Sequence, residues 1–147
     1  MKKLLITLFA LCWVLCACSG GIAFKQKKLE NVYYDVDGDA YLFKDYQEYQ
    51  EFIAELSADR PLKTAFADQL NAYKESYFEN YYLILFFYRS ASTTKVKISN
   101  IRLIETTAII DVKVREGRVV SGNINGRVFF LEVDKIYDID DVECKYR

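Results

Sequence analysis

Histidine is absent from the 147-residue chain, and proline, methionine and tryptophan occur once each. Without histidine, the usual serine and cysteine triads have no general base, and imidazole metal sites have no ligands. Neither sign of charge dominates, because 20 Lys and Arg face 21 Asp and Glu. No basic stripe is available to neutralise a phosphate backbone, so no nucleic-acid partner is expected. Cysteine is scarce and unevenly placed: Cys12, Cys16 and Cys18 fall near the start, and only Cys144 lies beyond them. With no histidine and only Cys144 outside that segment, a metal site would lack a second ligand group. What the chain has in quantity is aromatic residues, 12 Tyr and 10 Phe, whose abundance points to a core before a binding platform.

The first residues have a definite layout. Met1, Lys2 and Lys3 are followed by the uncharged run LLITLFALCWVL, Leu4 to Leu15. A spanning helix needs about 20 apolar residues, and this run is shorter. A charged start, an apolar middle and small residues at the end form the pattern of an export signal. Leu15, Cys16, Ala17 and Cys18, followed by Ser19, Gly20 and Gly21, resemble the lipobox of bacterial lipoproteins. The resemblance implies cleavage before Cys18 and a diacylglycerol thioether on its sulfur, since the thiolate is the nucleophile that accepts lipid. Two acyl chains suffice for stable anchoring. The expected organisation is a signal peptide over residues 1–17, a lipidated tether over 18–28 and one domain over 29–147. The expected location is the extracytoplasmic face of the cell membrane. The tether, SGGIAFKQKK after Cys18, reads first as a solvated linker, with Lys25, Lys27 and Lys28 against anionic head groups as the alternative. Removing residues 1–17 leaves 18 basic and 21 acidic side chains, a formal charge of −3.

Further along, Asp35, Asp37 and Asp39 alternate. A helix-loop-helix calcium loop counted from Asp35 would require glycine where Ala40 stands and glutamate where Tyr46 stands. The favoured reading is a hairpin turning at Asp37-Gly38 between Val32–Val36 and Asp39–Phe43. A weak Ca2+ contact at the three aspartates is the alternative, and otherwise no cofactor is expected. Asp45 with Glu48 forms a capping-box pattern before a helix over 46–57, with Tyr46, Tyr49, Ile53 and Leu56 on one face. Ala58-Asp59-Arg60-Pro61 ends it. Leu62, Phe66, Leu70, Tyr73 and Tyr77 predict a second helix ending near Asn80.

The run YYLILFFY, Tyr81 to Tyr88, is apolar on both faces and reads as a strand buried on both sides. Val96 and Ile98, then Ile101 and Leu103, predict a strand with a register shift near Asn100. Ile110, Val112 and Val114 alternate with Asp111, Lys113 and Arg115. Asn125-Gly126 carries a tight-turn signal between Val119–Ile124 and Arg127–Val133. A last strand covers Val142 to Tyr146 and makes Cys144 a buried structural thiol. The expected fold class is α+β: an N-terminal hairpin and two helices packed on a mostly antiparallel sheet.

Two patterns raise the question of catalysis. Ser92-Thr93-Thr94-Lys95 matches the S-x-x-K motif of penicillin-binding enzymes, but the S-D-N and K-T-G elements are missing from the sequence and the tetrapeptide runs into a strand. Asp138, Asp140 and Asp141 fall in a polar segment that reads as a solvated loop, with a weak cation contact as the alternative. The chain is therefore not expected to be an enzyme.

Tyr77, Phe78, Leu83, Ile84, Leu85, Val96, Ile98, Ile101 and the segment Leu131 to Lys135 form a Tyr-rich helix end, an apolar strand, two further strands and a late LEVDK. The pattern covers roughly the last half of the chain and is similar to small Firmicutes lipoproteins and to the C-terminal domain of PrcB-type protease-complex lipoproteins. The resemblance implies a non-catalytic exported lipoprotein that binds or stabilises an extracellular protein complex. A calcium-responsive surface module and, behind it, a serine acyl-enzyme at Ser92 are the alternatives.

Overall fold

A computed structural model describes residues 20–34, 36, 39–117 and 123–147. Among them are seven strands and two helices: β1 (Phe24–Glu30), β2 (Ala40–Phe43), α1 (Tyr46–Ala58), α2 (Thr64–Asn71), β3 (Tyr81–Ala91), β4 (Lys95–Ile104), β5 (Thr107–Arg115), β6 (Ile124–Asp134) and β7 (Asp141–Tyr146), with a 3-10 turn at Glu75–Glu79 before β3. The fold is α+β, built on two mostly antiparallel sheets. One sheet has the order β1-β6-β3-β2 and the other β4-β5-β7, in which β7 runs parallel to β5.

The two-sided apolarity of β3 and β6 explains the layering. Leu83, Leu85, Phe87, Val128 and Phe130 point into one core with Tyr49, Leu56, Phe66, Leu70 and Phe78 from the helical segments. Their neighbours Ile84, Phe86, Phe129, Leu131 and Val133 point the other way, against Val96, Ile98, Ile101, Ile110 and Val112 of the second sheet. The four-stranded sheet is thus the middle of three layers, and alternation along each strand distributes one run of residues to two cores.

Local signals account for most boundaries. Asp45 Oδ1 accepts the Glu48 N–H at 2.9 Å, and Glu48 Oε2 accepts the Lys44 N–H at 3.4 Å, so the reciprocal cap forms one residue further out than its simplest version. The β4–β5 register shifts between Ile98 and Asn100, where the periodicity breaks. The second helix, in contrast, stops at Asn71, and Lys74 is extended before the 3-10 turn. Tyr73 and Phe78 are both buried, yet on an uninterrupted helix they would lie about 140° apart. The break lets both rings enter the same core.

Three expectations are corrected. The hairpin between 32–36 and 39–43 gives way to different partners, since β2 pairs with β3 and β1 with β6. Val32, Tyr33, Tyr34 and Val36 are outside any strand, and Asp37-Gly38 lies outside the described residues. Asn125-Gly126, expected as a turn, lies within β6 opposite Ser90 and Arg89. Its job is close approach: Asn31, at φ 58, swings the chain over β6, the Val32 N–H donates to the Gly126 carbonyl at 3.0 Å, and a Cβ on Gly126 would stand 2.0 Å from the Val32 oxygen. Finally, the segment expected as tether is partly folded. Ile22 is buried, and Phe24 to Lys28 pair with Val133 to Phe129, because Phe24 and Leu29, on opposite faces of the strand, each pack on one of the two cores.

Strand directions give the molecule two poles. At one pole lie the starts of β1, β3, β5 and β7 and the ends of β4 and β6. The Asp140 N–H donates to Thr106 O at 2.8 Å there, and the Ile22 N–H to Ile101 O at 2.8 Å. At the opposite pole lie the ends of β1, β3 and β5 and the starts of β4 and β6, with the Ser92 N–H on Asn123 O at 3.0 Å.

Candidate functional site

A concavity lined by charged and aromatic side chains lies at the second pole. A cleft of about 330 Å³ is lined by Tyr33, Tyr34, Glu55, Leu56, Asp59, Arg60, Leu62 and Arg89. Its floor is the core itself: Tyr34 is buried, meets Phe87 edge-on at 4.7 Å, and donates its hydroxyl to Arg127 O at 3.3 Å. Burial raises the Tyr34 phenol above its ordinary range, against the opposing pull of the Arg89 cation. Arg89 leaves the apolar part of β3, donates to the Tyr34 carbonyl and lies 4.9 Å from the Tyr34 ring centroid.

The walls are charged. Glu55 and Asp59 come from the end of α1, and Arg60 from the break that follows it. Among the described residues these three have no ion-pair partner. Tyr33 stands at the rim, 61% exposed, with Lys63 Nζ 4.8 Å above its ring and the same ammonium on Asn31 O at 2.6 Å. An exposed aromatic ring beside unpaired charges of both signs suits a polar partner that presents complementary charges.

The sequence signals for this cleft were weak. Arg89 ends an apolar run and Arg60 precedes the only proline, but nothing local brings positions 33, 60 and 89 together; that juxtaposition comes from β3–β6 pairing and the path of residues 31–34 over β6.

The residues singled out by sequence fall elsewhere. Cys18, Asp35 and Asp37 lie outside the described residues. Asp39 is exposed, and its carboxylate accepts the Tyr146 hydroxyl. Asp140 pairs with Lys44 at 2.6 Å, whereas Asp141 accepts the Val142 N–H at 2.8 Å. Among the described residues no group of three or more acidic or cysteine side chains is placed to hold a metal. Ser92 stands in the turn between β3 and β4, not at a helix start; its carbonyl accepts from Arg127, and the Thr94 N–H donates to Ala91 O at 3.0 Å. Cys144 is half-buried, and burial pushes its thiol up to about 12.

The most buried carboxylate among the described residues is structural. Asp111, in the middle of β5, receives Arg102 in a two-point grip at 2.7 and 2.9 Å, and Arg147 at 3.2 Å. The Arg102 hydrogen bonds hold its carboxyl below the usual carboxylate range. No helix among the described residues is long and apolar enough to cross a membrane. Compared with known proteins, the chain matches no family profile, no curated protein and no solved structure.

Proposed function

We propose that this chain is an exported lipoprotein, anchored to the extracytoplasmic face of the cell membrane through a lipid on Cys18, that binds an extracellular protein without catalysing a reaction on it. The observation that supports this most is the separation of two ends. The first described pairing, Gly21 with Arg102, stands three residues after Cys18 at one pole, and the charged aromatic cleft opens at the other. A lipid on Cys18 therefore leaves Tyr33, Arg60 and Arg89 facing away from the bilayer. The similarity of the C-terminal half to PrcB-type protease-complex lipoproteins belongs to the same proposal and suggests the class of partner, a subunit of an extracellular protein complex.

The test is crosslinking on intact cells with a photoreactive side chain at Tyr33 and, as control, at exposed Lys97 of β4. The expected result is a discrete protein adduct from position 33 that is absent from position 97 and lost when Arg60→Glu is added. Equal adducts from both positions, or none from position 33, would overturn the cleft as the binding surface.

A further inference from the structure

We infer that the anchor-side pole is a lipid-contacting surface, on which Ile104 and Ile136 enter the membrane interface and fix the orientation of the domain. The inference rests on the proposed lipid at Cys18. It concerns a different part of the molecule from the cleft.

The geometry comes from register and exposure. Ile104 closes the β4–β5 turn opposite Thr107, and that turn is stitched to the 135–140 segment by the Asp140 N–H on Thr106 O. Ile136 lies in the latter segment, just beyond Asp134, which pairs with Tyr81. The two side chains are 54% and 79% exposed, and Tyr81 at the same pole is 36% exposed. Hydrophobic side chains on turns are under no packing obligation to be there, and an aromatic beside them suits a membrane–water boundary.

The chain leading to this pole has no slack. Gly21 bridges to Arg102, the Ile22 N–H donates to Ile101 O at 2.8 Å, and the Ala23 N–H donates to the Tyr137 hydroxyl at 3.4 Å. From Cys18 to Gly21 an extended backbone covers at most about 11 Å. A lipid on Cys18 would hold the pole within reach of the head groups.

Charge argues that the contact is apolar. Lys44 is paired with Asp140, Lys135 donates to the Lys44 and Phe78 carbonyls, Arg102 is committed to Asp111, and Lys25 is outnumbered by Glu105, Asp134, Asp138 and Asp141 at the same pole. Along β1, Lys27 and Lys28 are bonded to Gln69 and Glu30, and Lys28 is about 13 Å along the strand from Phe24. The pole has no basic excess, so the contact does not require anionic lipid.

The experiment places an environment-sensitive fluorophore on the full-length protein at Ile104→Cys, Ile136→Cys or, at the far pole, the equally exposed Ile124→Cys. The purified protein is reconstituted in phosphatidylcholine vesicles, and its intact mass is read from the same sample. The expected result is blue-shifted emission and a several-fold loss of iodide quenching at 104 and 136, with neither at 124. Equal quenching at all three sites in a sample whose mass includes the lipid overturns the inference and leaves the anchor standing. The shift at 104 and 136 without lipid in the mass retains the inference and removes the anchor. Quenching at 104 and 136 in vesicles, with protection only in native membranes, means a protein covers the pole and also overturns it.

Discussion

The buried hydroxyl of Tyr49 in α1 donates to the carbonyl oxygen of Leu70 near the end of α2, at 2.8 Å. One side chain thereby joins two helices and satisfies a carbonyl at a helix end. Its ring meets Phe43 at 5.2 Å and Phe78 at 5.3 Å. Tyr49→Phe keeps those ring contacts and removes the bond, and should cost about 1–2 kcal/mol. Tyr49→Ala also opens a cavity and should cost about 3–5 kcal/mol. Urea unfolding of the two variants checks the order.

Gly126→Ala should destabilise strongly, by about 3 kcal/mol, because the new methyl meets the Val32 carbonyl oxygen of a backbone held by its own hydrogen bond to residue 126. Gly20→Ala is the contrast. Gly20 has φ +62, and a Cβ there would meet nothing within 4 Å among the described residues, so backbone strain of about 1–2 kcal/mol is the expected term. If the two variants unfold alike, residues 31–34 do not cross β6 as described.

Acid should weaken the second sheet through Asp111. Its carboxyl titrates below the unfolded value in the folded protein, chiefly because of Arg102. Its contribution is therefore complete above about pH 4 and is lost as pH falls through the lower folded value. Asp111→Asn should cost about 2 kcal/mol at about pH 7. The difference from the unsubstituted protein should shrink toward about pH 3 in urea unfolding. A difference independent of pH would contradict an ionised, Arg-held Asp111.

Cys144 should be slow to alkylate in the folded protein. With its thiol pushed up to about 12, the thiolate fraction near neutral pH falls on the order of a thousandfold below that of a free cysteine. Peptide-level mass spectrometry after iodoacetamide should show labelling at 144 only once urea is added. Rapid labelling of the native protein would make it a reactive thiol.

Several features decided by local pattern were legible in the sequence. Asp45 and Glu48 capped α1, Tyr81 to Tyr88 formed a strand buried on two sides, and Asn100 marked the shift in β4. Long-range choices were not legible. Asn125-Gly126 has the composition of a turn, but its neighbours on both sides pair with β3, and the glycine is required by a segment 94 residues away in the chain. Phe24 to Lys28 looked like a linker because three lysines face solvent along an edge strand, where such residues are common. For the site, residue types could exclude histidine chemistry, but the meeting of Tyr33, Arg60 and Arg89 depends on tertiary pairing that no local spacing encodes.

The central claim is the anchor, and intact mass tests it most directly. The full chain and its Cys18→Ala variant are expressed in a lipoprotein-competent bacterium, and the membrane fraction is weighed. The account predicts the mass of residues 18–147 plus a diacylglyceryl group, lost in the variant. An unmodified full-length mass in membranes would contradict it, and LCACSGG would then be only the end of an uncleaved apolar segment.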